Sequence, residues 1–460
     1  MITVAYDHLR ATGDAAYEML ANAPTPRRGR TLAAMLSAYA AMAPDRFRIA
    51  AAATCATDGT PFLYPIEFDY RFMDSYESGR PPVAEGVSAA VLDAVRGGRA
   101  VIVLFFGHEP RSLRFEDGER TVFDLVQSFI AVHGLPPERV FLLNGNLAGE
   151  GEFTAWRTAQ GLDETETVQY RAVEFWAAFV RETHRLQARG LELSGTIDPV
   201  SWVTRLSLGP AAQPYEARYQ TPERVRRELA SGHLRGKSYM NLNSQPRLHR
   251  QLAVSWLAAA GLLERGHVSF PLMDRNLNGA ETWPQEMAAE RDAWFALHRR
   301  LPLSVDIGDP MDAIGQVYVN LFFVQPRLFP YDDSYVNLTS ETFYFADDLL
   351  YVSEKGFKPL VYLQPMLLMG NRGALSALRA MGFRTFGRRI DESYDDIAHH
   401  GDRLHAAFEE AARLAALSPA GARDLYADLL PEMEHNFHRL TEGRFRFDDV
   451  IDEMAALLPR

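Results

Sequence analysis

The sequence predicts an α/β protein of two Rossmann-like domains facing across a cleft, followed by a helical C-terminal tail. Three observations carry this. Short apolar runs such as Val101-Ile102-Val103-Leu104-Phe105-Phe106 have the composition of parallel strands buried on both faces. Amphipathic helical stretches alternate with them, as βαβ units require. The alternation occurs twice, on either side of a segment over 208–222 that holds Gly209, Pro210, Pro214 and Pro222. In such folds a ligand lies beyond the carboxyl ends of the strands.

In chain order, residues 28–43 read as a helix through Leu32, Met35, Leu36, Tyr39 and Met42. Residues 60–85, rich in Pro, Gly and aromatics, read as irregular. Val87 to Val95 is a short helix and 101–106 the first buried strand. Thr121 to Val132 places Val122, Leu125, Val126, Phe129 and Ile130 on one helical face. Arg139 to Leu143 is the next strand, and a helix is expected over 173–188. After the proline-rich segment, Ser238 to Leu242 is a strand. Pro246 to Ala260 is a helix with proline in its first turn. Ser334 to Leu338 is a strand, and Glu354 to Leu363 a helix that Pro359 should kink. Met366 to Met369 and Gly373 to Met381 repeat the strand–helix step. From Tyr394 the chain reads as helical. The domains expected are 1–220, 221–395 and a tail over 396–460.

The 460 residues suit two or three domains at roughly 100–200 residues each. With 47% hydrophobic and 23% charged residues the composition is that of a folded globular chain. No apolar run is long enough for a conventional membrane span. The start, MITVAYDHLRATGD, lacks the layout of a signal peptide, so a cytoplasmic location is expected. The single cysteine, Cys55, excludes intramolecular disulfides and a cysteine-based zinc cluster. A net charge of −12 argues against nucleic acid as a partner. Asp332-Asp333, Asp347-Asp348 and Asp395-Asp396 are adjacent pairs rather than Asp-x-Asp, so no metal is expected. No GxGxxG or GxxxxGK[ST] occurs.

Of 48 basic residues only three are lysine: Lys237, Lys355 and Lys358. Two of them stand at i, i+3 in Ser353-Glu354-Lys355-Gly356-Phe357-Lys358-Pro359. Ser353 reads as the N-cap and Glu354 suits the helix's positive end. The ammoniums do not suit it unless an anion is present, and two of them at a helix start fit a diphosphate. Arg247 and Arg250 raise the same question at the start of the helix after Ser238–Leu242, because bidentate guanidinium suits phosphate; pairing with surface carboxylates answers it equally. The glycine turn Gly370-Asn371-Arg372-Gly373 follows a strand and offers backbone N–H groups and Asn371 to an anion. Glu109, with His108 second, ends the strand 101–106 and is placed to deprotonate an acceptor hydroxyl. Asn144 and Asn146 end the next strand.

The order Glu341, then Ser353-Glu354-Lys355, then an apolar helix, then Pro365-Met366-Leu367-Leu368-Met369-Gly370 resembles the donor-binding half of GT-B glycosyltransferases. The likeness is to the fucosyltransferase and exostosin-like groups. The run from Glu354 through Gly382-Phe383-Arg384-Thr385-Phe386 and Asp391-Glu392-Ser393-Tyr394 also looks like bacterial and phage glycosyltransferase-like proteins. It spans about 236–405 and is sharp over 334–395. After Lys355 the chain departs from the fucosyltransferase pattern, so the donor's base and sugar stay open. The resemblance implies a GT-B-like fold and a metal-independent enzyme with no cofactor beyond a nucleotide-sugar co-substrate. The acceptor would be a glycan, a lipid-linked molecule or a protein. It implies that Glu354 contacts the donor's ribose or sugar, that Lys355 neutralises the diphosphate, and that Glu341 lies near the transferred sugar as a catalytic group. Lys358, Arg247, Arg250 and Asn371 join the donor set from their positions. The alternative is a non-catalytic nucleotide- or glycan-binding protein with a degenerate transferase fold.

Overall fold

The computed structural model describes residues 1–6, 9–12, 16–20, 39, 42–67, 87–106, 110, 113–114, 120–197, 204–211, 213–243, 245–271, 292, 295–297, 299–305 and 328–459. The chain divides into two compact units. One includes the residues up to Pro214 and those from Arg444 on; the other holds Tyr215–Asp309 and Gln325–Gly443.

The first unit is built on a six-stranded, all-parallel sheet. Its strands are β1 (Ile2–Tyr6), β4 (Phe47–Ala51), β5 (Phe62–Glu67), β6 (Ala100–Phe106), β7 (Val140–Asn144) and β8 (Gln169–Ala172), in the order β4-β1-β5-β6-β7-β8. Every residue of β6 and β7 is buried, because helices cover both faces of such a sheet. Ile102 lies opposite Val140 and Leu104 opposite Leu142. These residues pack with Val122, Val126 and Ile130 of the helix α3 (Val122–His133). That helix starts where Thr121 and Asp124 form a reciprocal capping box. Asp124 also accepts the indole N–H of Trp156 at 2.7 Å, tying α3 to α4 (Gly149–Gln160). A separate antiparallel sheet pairs β2 (Leu9–Thr12), β3 (Ala16–Leu20), β10 (Thr204–Pro210) and β9 (Leu191–Ile197) in that order.

The second unit holds a four-stranded parallel sheet, β12 (Gly266–Ser269), β11 (Lys237–Leu242), β13 (Ser334–Ser340) and β14 (Met366–Met369), in that spatial order. All seven residues of β13 are buried. Around it stand α7 (Leu248–Ala259), α8 (Glu354–Val361), α9 (Ala374–Ala380), α10 (His400–Ala415), α11 (Pro419–Asp428) and α12 (Leu430–Glu442).

Several expectations are corrected here. The irregular stretch over 60–85 contains β5, a central strand with Pro65 in it. Strands β1 and β4 and the antiparallel sheet carry too little periodicity to be read alone. The helix expected from Pro246 begins at Leu248, with Arg247 in extended conformation as its N-cap. Pro359 sits inside α8 without ending it, forgoing only the bond that its missing N–H would make. The tail does not form a unit of its own: α10 packs on β11, β14 and α7 in the second unit. The last helix, α13 (Arg446–Ala456), packs on α5 (Phe175–Ala188) in the first. Each buries its apolar face where its neighbours already present one. The helix expected over 28–43 lies outside the described residues except for Tyr39 and Met42, both helical, and Ala43, which is not.

Candidate functional site at the carboxyl edge of the second sheet

The chain leaves β11 for β12 on one side, then returns for β13 and β14 on the other. The order reverses between β11 and β13, and their carboxyl ends border the crevice where such sheets take ligands. After β11 come Asn243 and the start of α7, with Arg247, His249 and Arg250. After β13 come Glu341, Thr342 and Phe343. After β14 come Gly370 and Asn371. In the six-stranded sheet the same reversal falls between β1 and β5, one strand away from the β6 loop that the sequence reading chose.

Glu341 is fully buried. One carboxylate oxygen accepts the backbone N–H of Ser353 at 3.0 Å and that of Gly356 at 3.1 Å; the other accepts that of Thr342 at 2.9 Å. Ser353 is the N-cap of α8 and Gly356 its third residue, so a carboxylate from another strand closes this helix start. The fit needs two glycines. A Cβ on Gly356 would stand 3.0 Å from Glu341 Oε1 and 2.6 Å from Val352 Cγ1; one on Gly370 would stand 3.3 Å from Glu341 Cγ. Burial pushes the Glu341 carboxyl above the usual carboxylate range, while the Lys355 ammonium and the N–H donors hold it back. The catalytic role expected of Glu341 gives way to a structural one, because both oxygens are spent inside the fold.

The carbonyl of Glu341 is held as well. His249 Nε2 and Arg250 Nη2 both donate to it, each at 2.8 Å. A carbonyl only accepts, so the His249 proton is on Nε2. Burial, helped by Arg250, pushes the imidazole down to about 3, so the ring is neutral. Arg250 is itself buried and also donates to the Gln245 carbonyl at 3.3 Å. Its expected phosphate contact is replaced by these internal ones. Arg247 is half-buried, its guanidinium over the Phe343 ring at 5.2 Å.

Lys355 Nζ reaches Thr342 Oγ1 at 3.2 Å and Glu354 Oε1 at 2.5 Å, and its side chain is 26% exposed. Burial would raise the Glu354 carboxyl, but the ammoniums of Lys355 and Lys358 outweigh it and leave it below the usual range. Lys358 is buried, and burial pushes its ammonium down to about 8 against the pull of Glu354 and Glu341. The cations that seemed to need an outside anion therefore have carboxylates beside them already.

Asn371 is buried; its Nδ2 donates to the Ala346 carbonyl at 3.1 Å, and nothing among the described residues donates to its Oδ1. In the turn after β14 the Gly373 N–H donates to the Asp395 carbonyl at 3.1 Å, and just beyond it the two Asp395 carboxylate oxygens accept from Leu375 and Ser376, each at 3.2 Å. Asp333 pairs with His267 and Asp332 with Arg224. Among the described residues no cluster of His, Cys, Asp and Glu is able to hold a metal ion. No helix among them is long and apolar enough to cross a membrane. Glu109 and His108 lie outside the described residues. Asn144 and Asn146 are buried at the end of β7 and serve the turn: Asn144 Oδ1 accepts the N–H of Asn146 at 2.7 Å.

The second unit thus gathers Glu341, Glu354, Lys355 and Lys358 in one cluster, joined through Glu341 to His249 and Arg250. Sequence reading missed the parts that Thr342, Gly356 and Gly370 play in holding Glu341, and the capping by Asp395. A carboxylate capping a helix from elsewhere in the chain leaves no local spacing to detect; the glycines that admit it were the one available signal. No protein-family model, no curated protein and no solved structure matches the chain.

Proposed function

We propose that this chain is a glycosyltransferase that moves a sugar from a nucleotide-sugar donor to an acceptor hydroxyl, with the donor at the carboxyl edge between β11 and β13. The observation that carries the reading is Lys355. It stands on the first turn of a helix beside the point where strand order reverses, partly exposed and braced by Thr342 and Glu354, in the Glu-Lys sequence of the GT-B resemblance. In the reaction the bond from the sugar's anomeric carbon to the diphosphate breaks and one to the acceptor oxygen forms. The hydroxyl proton passes to a base, and the diphosphate leaves as an anion. Lys355 and Arg247 are the cations placed to stabilise that anion without a metal. Glu109 and His108 remain the proposed bases.

A second reading is favoured by one observation. Arg250 and Glu341, expected to touch the donor, are committed to backbone groups, which suits a protein that binds a nucleotide without turning it over. Incubation with UDP-, GDP-, ADP- and CMP-sugars, with nucleotide release followed, separates the two. Release stimulated by an acceptor extract supports the transferase. Saturable binding without release supports the second reading, and neither binding nor release overturns both.

A further inference from the structure

Phe345 is a large apolar side chain that the second unit leaves 42% exposed. Leaving a phenyl ring in water forgoes burial that would stabilise the fold, and a single exposed ring is ordinary on a protein surface. Its setting is not ordinary. His249 lies at 6.3 Å, Tyr344 at 5.2 Å and His400 at 5.7 Å between ring centroids, with interplanar angles of 70°, 70° and 78°. Among the described residues, therefore, rings stand against Phe345 at steep angles and none lies parallel to it.

These supports are themselves fixed. His249 donates to the Glu341 carbonyl at the end of β13. His400 is held by Arg403 at 2.7 Å and by Asp347 at 3.2 Å. The next residue along, Ala346, has its carbonyl tied to Asn371 beyond β14. The loop carrying Phe345 is thus pinned across the carboxyl ends of β13 and β14, and the ring is positioned before any ligand arrives.

We propose that Phe345 is a stacking platform for the nucleobase of a nucleoside diphosphate whose phosphates meet Lys355. The inference deepens the donor-binding reading and rests on it. Lys355 Nζ touches Thr342, and Phe345 is three positions on from Thr342, a span of at most about 10 Å. A ribose bridges a comparable gap between a base and its diphosphate. Arg247, on the same edge over Phe343, adds a cation where an anionic ligand rather than an apolar protein surface is favoured. Stacking is tolerant of base identity, because every base offers a π-face, so the platform itself does not choose between purine and pyrimidine.

The test is calorimetric titration of the full chain with GDP, UDP, ADP, CDP and inorganic pyrophosphate, for the wild type, Phe345→Ala, Phe345→Tyr and Lys355→Ala. The expected result is that Phe345→Ala weakens the preferred nucleoside diphosphate about tenfold or more and leaves pyrophosphate unchanged. Phe345→Tyr keeps wild-type affinity, and Lys355→Ala weakens both ligands. Unchanged unfolding curves for the Phe345 variants exclude misfolding. Equal affinity of Phe345→Ala and wild type for the nucleotide overturns the platform and leaves the donor reading standing. A wild type that binds none of the nucleotides overturns both.

Discussion

The carboxylate of Glu341, just beyond the end of β13, accepts the backbone N–H of Gly356, fifteen positions along the chain and in the first turn of α8, at 3.1 Å. This bond couples the sheet's carboxyl edge to the helix that carries Lys355. It also occupies the electropositive helix start from within. Glu341→Ala should leave the N–H groups of Ser353, Thr342 and Gly356 buried without that acceptor. The Gly356 N–H keeps the Ser353 carbonyl at 3.1 Å, so at about 1–3 kcal/mol for each of the other two buried groups the loss of stability should be about 2 kcal/mol or more by urea unfolding. A loss below about 1 kcal/mol would show that water or another group takes over the cap.

Gly356→Ala should be destabilising by about 1–3 kcal/mol, because the new methyl meets Val352 Cγ1 and Glu341 Oε1 at once. Gly151→Ala, inside α4, is the control. Its Cβ meets nothing within 4 Å, so the substitution should stabilise by about 0.5–1 kcal/mol. Thermal unfolding of the two variants should shift in opposite directions.

Lys358 links stability to pH. Its folded pKa, about 8, lies below the 10.5 of an ordinary lysine. Between those values the unfolded chain binds a proton that the folded one has lost, so this group makes stability rise with pH across that window. The contribution should be of order 1–3 kcal/mol. Lys358→Met should flatten the rise and raise stability at pH 7. Urea titrations of wild type and variant at pH 7 and pH 10 give the comparison; parallel slopes would mean Lys358 keeps its proton at pH 10.

In the first unit, Arg181 donates to both oxygens of Asp448, at 2.6 and 2.7 Å, with both residues buried. Burial alone would raise the Asp448 carboxyl, but Arg181 outweighs it and holds it below the usual range. Its stabilisation is therefore complete at neutral pH and is lost as pH falls through the depressed value. Asp448→Asn should cost about 1–3 kcal/mol, because the buried guanidinium loses one charge-assisted partner while keeping Glu182 at 2.6 Å. The double variant Arg181→Met, Asp448→Leu should recover most of that. A double variant no better than the single one would argue against the ion pair as the cause.

Lys355→Ala should weaken nucleoside diphosphate binding about ten- to a hundredfold, since a charge-assisted hydrogen bond contributes roughly 1.5–3 kcal/mol. The loss should be smaller for the nucleoside. Equal losses for both ligands would make Lys355 a structural partner of Glu354 and Thr342 only.

The parallel strands β6, β7 and β14 were legible in the sequence because burial on both faces demands an apolar run, and that demand is local. The same holds for α3, whose apolar stripe lies within a dozen residues. Ser353 as the cap of α8 was legible for the same reason. The roles of Glu341, Asp395, His249 and Arg250 were not. Their partners lie 15, 19 or 20, 92 and 91 positions away, and the charge argument that pointed to an outside anion counted only neighbours in sequence. Composition and periodicity thus determined the apolar central strands and the amphipathic helices, but not β1, β4, β5 or the antiparallel sheet. The tertiary structure decided the strand order, and with it which loops meet at the reversal between β11 and β13. It also decided which charges are answered from within, because electrostatics acts through space and not along the chain.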